Sequence, residues 1–524
     1  MTRNRLFAIS FLAVLAAGSA LRIPRLDLRP MHGDEAVHAV KFGELLERGR
    51  YRYDPEEYHG PTLYYSTLPV AWLTGTRRFE GLTETMLRIV PVLFGIATIG
   101  LLWFVRDGLG RGAALAAAAL AAVSPALVFY SRYYIQESLL VFFTFLAIVA
   151  GWRFVRGGRA AWAVLAGIAL GMMHATKETS ILVFAGLAFG GVAVRILARR
   201  DRDARGTRSE LSRAGLLAGA AAAVSVSVLL YSAFFREPSG PLDAVRSLRS
   251  YAERAVGDGL HDHPPGYYLG LLLHVHYAPG PRWSEALLVG LGGLGAAAAL
   301  AGRGPARADR GLARFLAFST LFLVIVYSVL PYKTPWNLLG FVHGLTLLGG
   351  MGLAVLVGLL RRPVLRTALL VAFGVGVLNL AAQAHRASFR FPADPRNPWV
   401  YAHPTNDAVR MANRVVDLAS VHPQGREMRV HVISPDYWPL PWYFRSLRRV
   451  GYWDVPPRLP DAAVIVVHRD LAAEVDRRVD REYVRSYHGL RPDVTLVLYV
   501  ERGLWERYVD VKGLAGKGVR SRSR

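Results

Sequence analysis

Apolar runs long enough to cross about 30 Å of hydrocarbon recur through the first three quarters of this chain. They lie near residues 5–23, 86–106, 112–131, 137–155, 160–176, 178–197, 213–235, 283–302, 312–331, 338–360 and 364–384. Inside a bilayer no water meets the backbone, so such runs must become helices that satisfy their own hydrogen bonds. The expected fold class is an all-α polytopic membrane protein of about eleven transmembrane helices. Composition agrees. The chain is 52% hydrophobic and 19% charged, whereas soluble domains carry about a quarter charged residues. A single soluble domain, a disordered chain and a coiled coil are excluded on the same grounds. The first run follows Arg3 and Arg5 and contains Ala16, Ala17 and Ala20, the outline of a signal peptide. With so many spans after it, an uncleaved anchor is expected.

The net charge of +24 invites a nucleic-acid reading, but the charge is in the wrong places. It lies largely in short loops between apolar runs, where it sets membrane orientation. With the N-terminus in the cytoplasm, the inner segments hold 21 arginines and the short outer loops hold 3 basic residues: Arg132, Lys177 and Lys333. That split predicts a multi-pass protein of the cytoplasmic membrane with its C-terminal part outside. No nucleic-acid partner is expected. The chain has only five lysines, and two of them sit in those short outer loops. Cysteine is absent, so neither disulfides nor thiolate metal sites enter.

Residues 1–389 then form the membrane domain, with larger outer loops at 24–85 and 236–282. Residues 390–524 turn polar. Met428–Ile433, Ala463–Val467 and Val494–Val500 alternate as strands. Asn406–Leu418 and Leu471–Val479 read as amphipathic helices. A small extracytoplasmic α/β domain is predicted, ending in a disordered Gly/Arg-rich tail, Gly513–Arg524. Segment 264–280 is aromatic but short. It reads as an interfacial or re-entrant helix.

The outer loops carry the polar chemistry. The first opens His32-Gly33-Asp34-Glu35-Ala36 and continues with a helical apolar pattern at Val37, Val40, Leu45 and Leu46. Asp34 suits an N-cap. It equally suits a general base toward a hydroxyl, with Glu35 beside it. Further on come His59-Gly60-Pro61-Thr62 and Tyr64, Tyr65 and Trp72. These aromatics fit an interfacial belt or the wall of a sugar or lipid cleft. His59 has no evident partner.

The next short outer loop carries Arg132 and Glu137. They are either a structural pair or a functional one, as ionisable groups at a membrane edge usually are. Another reads Thr176-Lys177-Glu178-Thr179. A lysine in the first turn of a helix opposes the dipole, so an anion there would explain it, a phosphate or a carboxylate. Lys333 and Trp336, between prolines, suit an anionic lipid headgroup or ordinary anchoring. His261-Asp262-His263 and His274-Val275-His276 offer metal-ligand types, but residues two apart on a helix diverge. No metal site is assigned. The sequence contains no Walker A loop, GxSxG elbow or HExxH motif, so an ATP-driven pump is not expected.

An acidic pair in the first outer loop, charged outer loops, many spans and an outer C-terminal domain together resemble the GT-C glycosyltransferases. The resemblance is to the dolichyl-phosphate-mannose–protein mannosyltransferase type and the bacterial aminoarabinose transferases. More narrowly, His32–Ala36, Tyr58–Pro61, Thr176–Thr179, Tyr332–Trp336 and Tyr437–Tyr443 are similar to the prokaryotic flippase-activity-associated proteins of surface glycosylation. The resemblance implies a GT-C fold and an inverting transfer of sugar from a polyprenyl-phosphate carrier to a protein, lipid or glycan acceptor outside the membrane. It implies Asp34 as base with Glu35 as its neighbour. For the leaving phosphate and substrate it offers Arg132, Glu137, Lys177, Glu178, Lys333, Trp336, His59 and Tyr64. It implies no cofactor, with a divalent metal left open. Where the aminoarabinose transferases carry Lys-Pro-Pro, this chain has His59-Gly60-Pro61, which leaves the acceptor open. The subfamily's name carries a second expectation, a non-catalytic flippase accessory or polysaccharide-export component.

Overall fold

The computed structural model describes residues 2–56, 59–200, 212–255, 259, 261–305, 308–457, 462–479 and 482–513. Tyr58, Arg202, Arg205, Arg208, Arg307 and the expected tail from 514 onward lie outside the described residues. The chain divides into two compact units. The first comprises Met1–Leu26, Arg48–Gly75 and Thr83–Tyr401, and the second Asp27–Glu47, Thr76–Leu82 and Ala402–Arg524. Two pieces of the first outer loop are therefore grouped with the C-terminal segment.

The first unit is a helix bundle, and each expected apolar run contains helix. Among the described residues, 8 helices are long and apolar enough to cross a membrane. The pair Arg111–Val123 and Pro125–Ser131, bent by 58°, is apolar and long enough to make a ninth when taken as one span. The other two runs fold as Ala160–His174 and Ala286–Leu300, each of 15 residues. At 1.5 Å per residue they reach only about 22 Å, short of the hydrocarbon thickness. By length and composition eight or nine helices reach full span length, and these two shorter apolar helices complete the eleven expected runs. Segment 264–280 is no span. It holds the helix Tyr267–Leu273 and strand β1 (Val275–His276), which pairs antiparallel with β2 (Arg282–Trp283). Large apolar side chains such as Leu217, Val364 and Leu378 face outward. In water that would be a liability; against lipid it is the normal surface.

The bent pair shows how a break is tolerated. Pro125 has no N–H, so the Ala121 carbonyl loses its helical partner. The Ala126 N–H donates instead to Glu285 at 2.9 Å, so the Ala122 carbonyl loses its partner too. Buried Arg22 donates to both carbonyls, at 2.9 and 2.8 Å. Ser124 donates to the second oxygen of Glu285 at 2.6 Å. The Ala121 and Ala122 carbonyls and the Ala126 amide thus have charged partners from distant segments. The chain leaving the first helix is held the same way. Arg132 donates to the carbonyls of Arg22, Pro24 and Arg25, and Arg88 to that of Leu26.

Glycines set the closest helix contacts. Gly167 and Gly171 lie four apart on Ala160–His174 and face Gly219 and Ala223 of Arg213–Tyr231. A Cβ at Gly167 would stand 1.9 Å from the Gly219 carbonyl oxygen. Small residues at this spacing let two backbones touch, which supplies packing where lipid supplies no hydrophobic drive.

The second unit is built on a five-stranded sheet, β3 (Arg429–Ile433), β4 (Arg449–Trp453), β5 (Val464–His468), β6 (Tyr483–Arg491) and β7 (Val494–Glu501), in the order β4-β3-β5-β7-β6. β3 pairs parallel with β4 and β5, and β7 antiparallel with β5 and β6. The helices Asn406–Val421 and Arg502–Val511 cover one face. The predicted α/β domain is therefore present. β4 and β6 escaped the sequence reading because neither alternates cleanly; Gly451 and Gly489 interrupt them. The expected helix Leu471–Val479 is shorter, Ala472–Asp476.

Gly167→Leu should force the two helices apart and lower stability by about 2 kcal/mol or more. Gly151→Leu, where a Cβ meets open space, should stay within about 0.5 kcal/mol. Thermal unfolding in detergent separates the two outcomes.

Candidate functional site

The helix Gly33–Arg48 begins with a reciprocal cap. The Asp34 N–H donates to His32 Nδ1 at 3.0 Å, and the His32 N–H donates to Glu35 Oε2 at 3.1 Å. This is the capping-box arrangement with histidine in the Ser/Thr place. His32, not Asp34, is the cap. The Glu35 side chain is fully buried, and its Oε1 accepts from Arg29 at 2.9 Å. Both of its oxygens are engaged, which makes Glu35 the anchor of this turn rather than a group open to substrate. Asp34, one residue on, points elsewhere. Its side chain is 48% exposed, with His32 Nδ1 at 3.8 Å as its nearest ionic neighbour. It is the acidic group of the pair with room to act.

Within the same unit the turn is held against Tyr437–Tyr443. The Met31 N–H donates to the Tyr443 hydroxyl at 2.8 Å. A Cβ at Gly33 would lie 3.7 Å from that of Trp438, and the rings of His32 and His403 lie 5.0 Å apart. The aromatic motif of the C-terminal segment thus borders the Asp34 turn.

In the first unit the structure joins two outer-loop motifs. Thr62 donates to the Ala175 carbonyl through both its N–H and its hydroxyl, at 3.1 and 2.7 Å. Gly60 makes this approach possible, because a Cβ there would stand 2.3 Å from that carbonyl oxygen. His59 Nδ1 then lies 2.7 Å from Glu178 Oε2 and 2.9 Å from the Tyr251 hydroxyl. The Tyr53 hydroxyl donates to Glu178 Oε1 at 2.8 Å. Burial opposes charge on Glu178, but His59 and the hydrogen bonds around it prevail and hold this carboxyl below its ordinary range. His59 therefore has a partner, 119 residues away. Glu178 faces it and not a ligand.

Lys177, next in the chain, turns the other way and pairs with Glu137. Both line a narrow cleft of about 30 Å³ together with Trp336 and Asn337, and its walls include Leu140, Val183 and Leu323. Three helices start beside it, Glu137–Gly157, Ser180–Arg200 and Leu339–Leu359. Their N-termini carry partial positive charge.

The remaining candidates are placed differently. Arg132 pairs not with Glu137 but with the carbonyls after the first helix, and its guanidinium lies 4.6 Å from the Phe389 ring. Lys333 is buried and donates to the carbonyls of His263 and Leu330. Tyr64 is fully buried against Tyr51, with centroids 5.5 Å apart, so it belongs to the core. Trp72 is exposed, as a lipid-facing ring would be. Among the described residues no group of three or more His, Cys, Asp or Glu side chains is gathered for a metal. His261 instead meets the Tyr401 hydroxyl, and His263 stacks on Tyr267. The sequence reading missed Arg29 and Tyr53. Arg29 stands six residues before its partner and was open to notice; nothing local marks Tyr53.

Comparison with known proteins follows this geometry. Residues 63–237 match the family model for dolichyl-phosphate-mannose-protein mannosyltransferase. That stretch takes in Glu137, Lys177 and Glu178 and leaves Asp34 outside. No curated protein sequence matches the chain. ArnT from Cupriavidus metallidurans bound to undecaprenyl phosphate is similar in structure, with TM-score 0.67 and 16% identity over 96% of this chain and 99% of that one. ArnT in its apo state gives 0.64 and 15% over 95% and 98%. The Archaeoglobus fulgidus oligosaccharyltransferase tethered with an acceptor peptide gives 0.53 and 12% over 97% and 78%. At such identities the likeness is one of fold. The chain is a multi-pass membrane protein with the GT-C fold.

Removing the Glu178 charge tests the joint between the two loops. Glu178→Gln should cost about 3 kcal/mol at neutral pH, as breaking a buried pair does. A lowered carboxyl stabilises above its unfolded pKa and ceases to below its folded one. The gap between wild type and variant should therefore close as pH falls below about 4, read from thermal unfolding across pH.

Proposed function

We propose that this chain is an integral-membrane glycosyltransferase that moves a sugar from a polyprenyl-phosphate carrier to an acceptor hydroxyl, with inversion. The observation that carries the reading is the Lys177 cleft. An ammonium, a tryptophan and three helix N-termini sit at the head of apolar walls. With Glu137 paired to Lys177 on the same wall, the ammonium and the helix N-termini support a site for an anionic headgroup beside apolar walls. The match of 63–237 to the mannosyltransferase family model and the ArnT-like fold support it.

The chemistry assigns one role to each group. In the first unit, Lys177 and Trp336 hold the carrier phosphate, and the helix N-termini stabilise charge as the phosphate leaves. In the second unit, half-exposed Asp34 takes the proton of the acceptor hydroxyl. Glu35, tied to Arg29 and His32, is a positioning residue that fixes the turn. The acceptor oxygen forms a bond to the anomeric carbon as the bond from that carbon to the phosphate oxygen breaks. The arginine distribution supports placing the N-terminus in the cytoplasm and the reaction on the outer side of the cytoplasmic membrane.

Transfer in nanodiscs, from a pool of labelled polyprenyl-phosphate sugars to cell-envelope acceptors, tests the reading. Asp34→Asn should lower transfer by about a thousandfold, the middle of the range for single acid–base contributions, and leave carrier binding intact. Lys177→Met should weaken carrier binding itself. Wild type that binds carrier yet transfers nothing to any acceptor in the pool would move the reading to carrier handling without chemistry.

A further inference from the structure

The membrane unit and the first-loop helix each bury glutamates, and comparing them singles one out. Glu35 has both oxygens bonded, to Arg29 and to the His32 N–H. Glu178 has both bonded, to Tyr53 and His59. Glu285 has both bonded, to Ser124 and Ala126. A buried carboxylate in a purely structural role is satisfied in this way, since an unpaired buried oxygen is costly. Glu237, also buried, accepts from Arg50 through Oε1, and among the described residues Glu137 is the glutamate with a buried oxygen left without a hydrogen-bond partner. It is only 5% exposed. Its Oε1 accepts from Lys177, while its Oε2 has no hydrogen-bond partner. Both residues of this pair line the cleft.

We infer that Glu137 is a displaceable counter-ion of the carrier site. It holds Lys177 while the cleft is empty, yields it to the carrier phosphate, and takes it back to expel the spent carrier. The inference rests on the reading that this cleft binds a polyprenyl-phosphate sugar. The reason for such a device lies in the charges of donor and product. The donor is a phosphodiester with one negative charge. Once the sugar has left, the carrier is a monoester with a charge of about −1.5 to −2 at neutral pH. A site made only of an ammonium and helix N-termini would hold the product more tightly than the donor, and turnover would stall on release. A carboxylate competing for the same ammonium penalises the more highly charged ligand more. Glu137 is placed to do so, because it already occupies the position on Lys177 that a phosphate oxygen would take. Its second oxygen, left without a donor, shows a pair that is held but not locked.

The test is the charge preference of the empty site. Binding of undecaprenyl phosphate (the monoester) and of a mannosyl polyprenyl phosphate (the diester) is measured in nanodiscs, without acceptor, for wild type, Glu137→Gln and Lys177→Met. Wild type should bind the two within a few-fold of each other. Glu137→Gln should favour the monoester by roughly tenfold, the scale of one close charge contact. Glu137→Asp, shorter by one methylene and still charged, should shift the same way by less; it stands in if the Gln variant does not fold. A Glu137→Gln protein with wild-type thermal stability and an unchanged monoester-to-diester ratio would overturn the role of Glu137 while leaving the cleft reading in place. Lys177→Met binding both lipids as wild type does would overturn the cleft reading, and this inference with it.

Discussion

A backbone group that leaves its helix inside hydrocarbon has no water to turn to, and the membrane unit is arranged around that constraint. Its first helix ends, and another breaks at Ser124-Pro125, within the bundle. Arg22 covers the Ala121 and Ala122 carbonyls of the break, and Glu285 accepts from the Ala126 amide and the Ser124 hydroxyl. Arg132 and Arg88 cover the carbonyls between Arg22 and Leu26. These side chains are cationic or anionic because a charged group makes several strong hydrogen bonds at once. The first outer loop therefore starts from a fixed point. A residue such as Arg132, which looks available to a phosphate in the sequence, is already engaged in holding that point.

The same logic separates neighbouring residues with similar chemistry. Successive helical residues differ by about 100° in direction, so adjacent acids need not share a fate. Glu35 turns inward to Arg29 and anchors the turn, while Asp34 remains half exposed. In the turn between Ala160–His174 and Ser180–Arg200, outside either helix, Glu178 faces His59 and Tyr53 while Lys177 beside it lines the cleft. In both pairs the two neighbours meet different surroundings, a buried set of partners for one and solvent or the cleft for the other. Gly60 makes the second arrangement possible, since only a residue without a Cβ lets the first loop lie on the Ala175 carbonyl.

Much of this was legible in the sequence. Hydrophobic length alone located all eleven apolar helices, because a bilayer leaves a long apolar run no other fold. It did not show that two of them, Ala160–His174 and Ala286–Leu300, stop at 15 residues. The outer loops were marked by their polar clusters, and Asp34, Lys177, Glu137 and Trp336 were named from them. The pairings were not legible. Glu137 and Lys177 are 40 residues apart, and His59 and Glu178 are 119 apart. No local pattern carries contacts of that range.

What the sequence determined by itself was class and inventory: a polytopic helical membrane protein, a polar α/β segment at its end, and a short set of charged and aromatic residues in the loops between apolar runs. Periodicity and hydropathy are local properties, and these conclusions need nothing more. Tertiary structure decided the roles. It decided which cations are consumed by carbonyls, which acids are locked in pairs, and which carboxylate is left half satisfied at a cleft. Those outcomes depend on where distant helix ends meet, and a buried charge takes its role from what it meets there.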